Sequence, residues 1–350
     1  MNTYYQRIIV THFVTSAALA LERAPLPEPK ALEVRLKILK VGVSFADLLM
    51  REGIHPEVWF QRPPFTPGWD VIGIIDSLGS GVQGWQIGQR AAALPVKGGY
   101  AEYLCLPAAE LIAVADELVD ADVLCMIYNY VVAYQMLHRT AKVKAGERVL
   151  IHSAAGGVGS ALVELGKLAG LELYGTASAG KHPLLIQAGC TPIDYKSVDF
   201  VAAVRELTQG SGVDVVFDGI GGAHLWRSYS TLKPGGRLVT YGLSAAFSEG
   251  GQSRWRVILG LLSKWMRAFM INFVPDGRSI HLYSIQTLKR LRPAWYREDV
   301  AILLALLARG RLKPIIAKCL PLREAARAHD LLASGAVTGK IVLAPDPADC

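Results

Sequence analysis

The residues in this sequence with the plainest chemical signature are glycines. Gly156 and Gly159 stand in the run Ser153-Ala154-Ala155-Gly156-Gly157-Val158-Gly159. Glu147–His152 before it reads as a buried strand, and Ser160–Ala169 after it as a helix closed by Gly170. This is a G-x-G-x-x-G pattern with Ala154 in the first position, and its context gives it value. Gly156 lets the backbone come close to a pyrophosphate, and Gly159 lets the helix pack close to the sheet. The pyrophosphate then meets free N–H groups and the positive end of the helix dipole. A plain structural βα turn is the alternative, and the five strands of regular alternation weigh against it.

A dinucleotide site of this kind selects NAD with an acidic residue about 20 residues on, which binds the ribose 2′-hydroxyl. Here the stretch reads Gly175-Thr176-Ala177-Ser178-Ala179-Gly180-Lys181, with no carboxylate. A carboxylate repels a 2′-phosphate, whereas the Ser178 hydroxyl and the Lys181 ammonium attract one. The expected cofactor is therefore NADPH. A single lysine in a first helical turn is also commonly just solvated, so the missing acid and Ser178 carry as much of the reading as Lys181.

Other chemistries find little footing. Catalytic zinc needs convergent Cys, His or carboxylate ligands. The five cysteines, at 105, 125, 190, 319 and 350, form no C-x-x-C, and Gly68-Trp69-Asp70 has a tryptophan where a histidine ligand would serve. No metal is expected. No G-x-S-x-G nucleophile elbow is present. His152 reads as a core or supporting histidine rather than a base. The odd, widely spaced cysteines suit a reduced, cytoplasmic compartment. The apolar run Val14–Leu21 is short, runs into Glu22-Arg23, and makes a poor signal peptide.

The elements that must position these residues follow from periodicity. The chain has 350 residues, enough for two domains at roughly 100–200 residues each. Residues 31–41 alternate apolar and charged, and Val71–Ile75, Arg90–Leu94 and Gly99–Leu106 continue a β-rich pattern through about residue 120. Val123–His138 is apolar at helical spacing. After it, strands at 147–152, 171–176, 192–195, 213–218 and 237–242 alternate with helices at 160–169, 181–188, 200–208 and 225–232, a doubly wound parallel sheet. Helices at 298–309 and 326–334 precede a strand at 339–343, which is expected to rejoin the β domain. The net charge of +7 comes without a Lys/Arg block or aromatic–basic alternation, so no nucleic-acid partner is expected.

The stretches 43–53, Pro64–Gly68, Gly98–Tyr103, Tyr128-Asn129-Tyr130, Ala154–Gly159, Gly175–Lys181, Ile193-Asp194-Tyr195 and Gly339-Lys340-Ile341-Val342 run in order along nearly the whole chain. In these the sequence resembles the zinc-free quinone oxidoreductase branch of the medium-chain dehydrogenase/reductases, which includes zeta-crystallin-like reductases and vesicle amine transport proteins. Tyr128-Asn129-Tyr130 and the long insert after Gly242 look nearer to the latter. The resemblance implies an α/β chain with a Rossmann doubly wound parallel sheet (125–295) and a discontinuous GroES-like β-barrel domain (1–124 and 296–350), with the active site in the cleft between them. It implies hydride transfer from NADPH to a quinone or an activated C=C of a small hydrophobic substrate. By position, Ala155, Gly156, Gly157, Val158 and Gly159 would hold the pyrophosphate, with Thr176 at the neighbouring strand end. Ser178, Lys181 and Tyr195 would hold the 2′-phosphate end, and Gly242 and Leu243 would line the nicotinamide side. Ser44, Tyr128 and Asn129 are the candidate hydrogen-bond donors to substrate. Ser44 stands where family members often carry asparagine, Leu49 where some carry tyrosine, and Val132 where threonine is common. Asp47 reads as a hydrogen-bonding residue rather than an acid. A homodimer is expected by the same analogy.

Residues 252–274, inside an insert at about 245–280, place Arg256, Gly260, Ser263, Lys264 and Arg267 on one arc at about 100° per residue. Trp255, Ile258, Leu262, Trp265, Met266 and Phe269 fall mostly opposite. A basic amphipathic helix of this kind serves as a lid, a dimer contact or a peripheral membrane contact. Two rivals to the reductase stay open: a membrane-associated NADPH-binding adaptor with little turnover, and a biosynthetic enzyme using the pocket for a non-redox cyclisation.

Overall fold

The computed structural model describes residues 3–13, 16–242, 244–247, 259–260, 262–263, 266, 270, 272 and 276–350. Most of the insert 252–274, including Trp255, Arg256, Ile258, Lys264, Trp265, Arg267 and Phe269, lies outside them, as does Leu243. The chain forms two compact units, Met1–Asn129 with Val300–Cys350, and Tyr130–Asp299.

The first unit is a β domain. A hairpin of β1 (Tyr4–Val10) and β2 (Leu19–Pro25) stands beside a larger sheet. That sheet contains β3 (Glu33–Val43), β4 (Val71–Leu78), β5 (Arg90–Ala93), β6 (Tyr103–Pro107), β7 (Ile112–Ala113), β14 (Ile316–Pro321) and β15 (Lys340–Ala344). The alternation seen at 31–41 puts Val34, Leu36 and Ile38 into a core with Val71, Ile75, Tyr100 and Ile341. The strand order is β14-β15-β3-β4-β5-β7, with β6 also paired to β3. β3 is long enough to take β6 along Glu33–Lys37 and β15 along Val41–Val43. Both pair on the side away from β4, so among the described residues the sheet branches there and does not close, contrary to the expected barrel.

The second unit carries one six-stranded parallel sheet. Its strands are β8 (Arg148–Ile151), β9 (Glu172–Ala177), β10 (Cys190–Asp194), β11 (Val213–Asp218), β12 (Leu232–Thr240) and β13 (Ser279–Leu282), in the order β10-β9-β8-β11-β12-β13. Numbered from β8, that is 3-2-1-4-5-6, the doubly wound order, and ligands in such sheets bind beyond the carboxyl ends of the two central strands. Those two are β8 and β11. The run Pro234-Gly235-Gly236 does not interrupt a strand. It sits inside β12 as an irregularity, where the pairing jumps from Val213↔Leu232 to Val215↔Arg237.

Two expectations change. The single helix expected over 123–138 is instead an α turn at Asp120–Cys125, a π turn at Met126–Tyr130, an α turn at Val131–Tyr134 and a second π turn at Gln135–Ala141. The run is buried on more than one face, with Leu124, Met126, Ile127, Val131, Met136 and Leu137 all inaccessible, and a π turn shifts which face each next residue presents. The cysteines are not all reduced. Cys319 and Cys350 form a disulfide across 31 residues. Their wide spacing concealed the pair, because only folding returns the chain end to β14.

Candidate functional site

The Gly-rich turn leaves the end of β8 and enters the helix α1, Gly157–Leu168. The turn is closed by Gly156 N–H donating to Ser153 O (2.9 Å) and held to β9 by Ala154 N–H donating to Thr176 O (3.0 Å). A β-carbon on Gly159 would stand 2.1 Å from Ser153 O and 2.8 Å from Ala154 Cα, so glycine is the residue that lets helix and turn close. Gly156 is the N-cap and has no side chain to satisfy the first-turn N–H groups of Gly157, Val158 and Gly159. Those donors suit an anion at a 12-residue helix. Gly156, Gly157 and Val158 are half-buried, and Ala155 is buried. These residues fit a pyrophosphate.

The next strand end fits the extra phosphate. Ser178 follows β9, and half-buried Lys181 ends the single turn Ala179–Lys181. Burial, and secondly the charge of Lys196, push the Lys181 ammonium below its ordinary pKa. Lys196, beyond β10, thus stands near enough for its charge to act on Lys181. Lys196 was missed from sequence, although it follows the candidate Tyr195, which is exposed just beyond β10. The carboxylate at that strand end, Asp194, is turned onto its own loop, accepting from Lys196 N–H (3.1 Å) and Ser197 Oγ (3.0 Å). Thr176 is occupied structurally: its Oγ1 accepts from Ser153 N–H (3.2 Å) and lies 3.1 Å from His152 Nδ1. Gly242 lies two residues past β12, where a β-carbon would meet Gly219 O at 2.0 Å.

Behind the turn, His152 is fully buried, and that burial pushes its pKa down to about 3. His152, Asp218 and His224 bring potential metal-ligand atoms within 4.8 Å of one another. The Ser228 hydroxyl stands among them, donating to Asp218 Oδ2 (2.7 Å) and lying 3.1 Å from His152 Nε2 and 3.2 Å from His224 Nδ1. Asp218 Oδ1 accepts the N–H groups of Ile220 (2.7 Å) and Gly221 (2.8 Å). The network ties the ends of β8, β9 and β11 together beneath the glycines.

The three substrate-side candidates belong to the first unit. Ser44 caps the short helix Phe45–Arg51, donating its hydroxyl to Asp47 Oδ2 (2.7 Å). Asp47 also accepts from Gly68 N–H (2.9 Å), a hydrogen-bonding role, while burial raises its pKa to about 7. Tyr128 and Asn129 lie on the first π turn. The Asn129 Oδ1 accepts from Lys340 Nζ (2.9 Å), which also pairs with Asp70 Oδ2 (2.9 Å) and lies 5.2 Å from the Tyr128 ring centre. Sequence reasoning missed Lys340 and Asp70, because a lysine inside a strand motif reads as a solvated residue.

The chain matches the alcohol dehydrogenase GroES-like domain family over residues 30–116 and the zinc-binding dehydrogenase family over residues 190–343. It is 31% identical over 331 residues to the human synaptic vesicle membrane protein VAT-1 homolog, spanning 92% of this chain and 81% of that one. The protein belongs to the medium-chain dehydrogenase/reductase superfamily, in its quinone oxidoreductase and VAT-1-like branch. It is similar in structure to the Escherichia coli quinone oxidoreductase complexed with NADPH, at a TM-score of 0.84 and 26% identity, covering 97% of this chain and all of the other (100%). It is also similar to the CurK enoyl reductase, at a TM-score of 0.81 and 25% identity over 98% of this chain and 99% of that one. The chain is thus an oxidoreductase of this superfamily, in which nicotinamide cofactors bind. Among the described residues, no helix is long and apolar enough to cross a membrane.

Proposed function

We propose that the protein is an NADPH-dependent reductase that delivers hydride, without a metal, to a quinone or an α,β-unsaturated carbonyl on a small hydrophobic substrate. The observation that carries this reading is the helix at Gly156, whose N-cap offers no side chain to its first-turn N–H groups, one strand from the corner where Ser178 and Lys181 follow β9 and the charge of Lys196 reaches Lys181. The E. coli quinone oxidoreductase with NADPH and the CurK enoyl reductase support the two acceptor classes.

Bound NADPH supplies the hydride. The turn at Ser153–Gly159 binds the pyrophosphate, and Lys181 with Lys196 holds the 2′-phosphate. Hydride arriving at the β-carbon of an enone places enolate charge on the carbonyl oxygen, and a fixed donor must offset it. A quinone needs less help, because its reduced anion is aromatic. NADPH consumption with a panel of quinones and enones, set against NADH, tests the reading. Tight NADPH binding with no consumption by any acceptor would favour the adaptor or cyclisation alternatives. The expected homodimer and a peripheral membrane contact through 252–274 belong to the same proposal, tested by light scattering and by liposome co-sedimentation.

A further inference from the structure

Lysine rarely sits fully inside a β domain without a paired charge. Lys340 is 3% exposed, and Asp70 is inaccessible. The two belong to strand starts on either side of β3: Lys340 opens β15 and Asp70 precedes β4. Gly42 of β3 lies between them. It has no side chain, so the ammonium can cross over the strand to the carboxylate.

An ammonium has donors only, so the atom of Asn129 facing Lys340 must be the carbonyl oxygen. That fixes the carboxamide the other way round for everything else. Its nitrogen, on a residue only 7% exposed, has no acceptor among the described residues. Ser44 has its hydroxyl engaged in the helix cap. Asn129 also sits on a π turn, a rare distortion that recurs at functional sites.

We infer that the Lys340–Asp70 pair is a positioning device that holds the Asn129 carboxamide with its N–H groups outward, as the hydrogen-bond donor to the carbonyl oxygen of an enone substrate. This role rests on the hydride-transfer reading above. The ammonium draws electron density from the amide oxygen and so strengthens the opposite N–H as a donor. Asp70 keeps the buried cation neutralised, so that the amide and not a bare charge meets the substrate.

The test uses the whole 350-residue chain with NADPH, one enone and one quinone. Removing Lys340 alone would strand a buried carboxylate, so the informative variant replaces both charges, Lys340→Met with Asp70→Asn. Thermal unfolding and NADPH affinity establish that it is folded. We expect kcat for the enone to fall roughly 10- to 100-fold, with KM little changed and the quinone rate falling far less. Asn129→Leu should give the same acceptor-selective loss. In the Asn129→Leu background, removing the charge pair should cost nothing further, since both act through one amide. Equal losses for enone and quinone, or independent additive losses, would overturn the positioning role while leaving the reductase reading intact. No turnover of either acceptor by the wild-type chain would overturn both.

Discussion

Gly42 and Lys340 lie so close that a β-carbon on the glycine would fall 2.4 Å from Lys340 Cε and 2.5 Å from its Nζ. The same β-carbon would come within 2.3 Å of Asp70 Oδ2. Alanine at position 42 therefore has to push apart a buried ion pair rather than slide past a flexible surface group. We expect Gly42→Ala to cost about 3 kcal/mol, between simple overpacking and loss of a buried charge partner. Gly180→Ala, with open space around it and ordinary backbone, is the control. Urea unfolding with equal midpoints for the two variants would show that the pair has room to spare.

Gly156 and Gly159 separate cofactor binding from folding. The added methyl of Gly159→Ala meets backbone atoms, which cannot rotate away, so the turn and helix must part. We expect both a lowered Tm and loss of NADPH binding. In Gly156→Ala the nearest atom, Ser153 O, is 3.2 Å away, a tight contact that a small shift relieves. There the Tm should fall only slightly, while the methyl would cover the amides proposed to receive the pyrophosphate, and NADPH affinity should drop by at least tenfold. Titration calorimetry alongside thermal melts reads both quantities.

The second unit was largely legible in the sequence, because its signals are local. β11 falls at the expected 213–218, and the strand–turn–helix around Gly156 needs only its own glycines and apolar neighbours. The first unit was less so. Whether β3 closes a barrel depends on which strands share its edge, and β6 and β15 are more than 200 residues apart in the chain. Lys340, Asp70 and Asn129 meet for the same reason only after folding, and no spacing rule joins them. The Cys319–Cys350 link was hidden likewise. Lys196 could have been found, as a second cation beside Tyr195 at the next strand end of a site already expected to hold a phosphate.

Lys181 and Lys196 should discriminate between the two nicotinamide cofactors. Each charged contact to a phosphate contributes about 1.5–3 kcal/mol, or roughly 10- to 100-fold in affinity. Lys181→Ala should therefore weaken NADPH by that amount and NADH far less, with Lys196→Ala smaller because its side chain is exposed and screened. The preference for NADPH should also shrink as salt rises. Equal losses for NADPH and NADH in Lys181→Ala would remove this lysine from the 2′-phosphate site.

His152 sets an acid limit on stability. Its pKa is pushed down to about 3 chiefly by burial, against an ordinary value near 6.5, with Asp218 opposing and His224 and Arg227 assisting. Between those two values the unfolded chain binds a proton that the folded chain refuses. Stability is therefore intact above about pH 6.5 and is lost as pH falls toward 3, by up to about 1.4 kcal/mol per pH unit for this one group. Asp47 acts with the opposite sign over roughly pH 4–7, since its raised pKa makes the folded state hold the extra proton, so the total slope mixes both. The contribution of His152 is isolated by difference. His152→Asn keeps a polar group near Thr176 and Ser228 but cannot titrate, so its unfolding free energy should fall less steeply between pH 6 and 4, by about one proton's worth. Denaturant curves at several pH values measure that slope, and parallel lines for wild type and variant would mean that His152 is protonated within the fold.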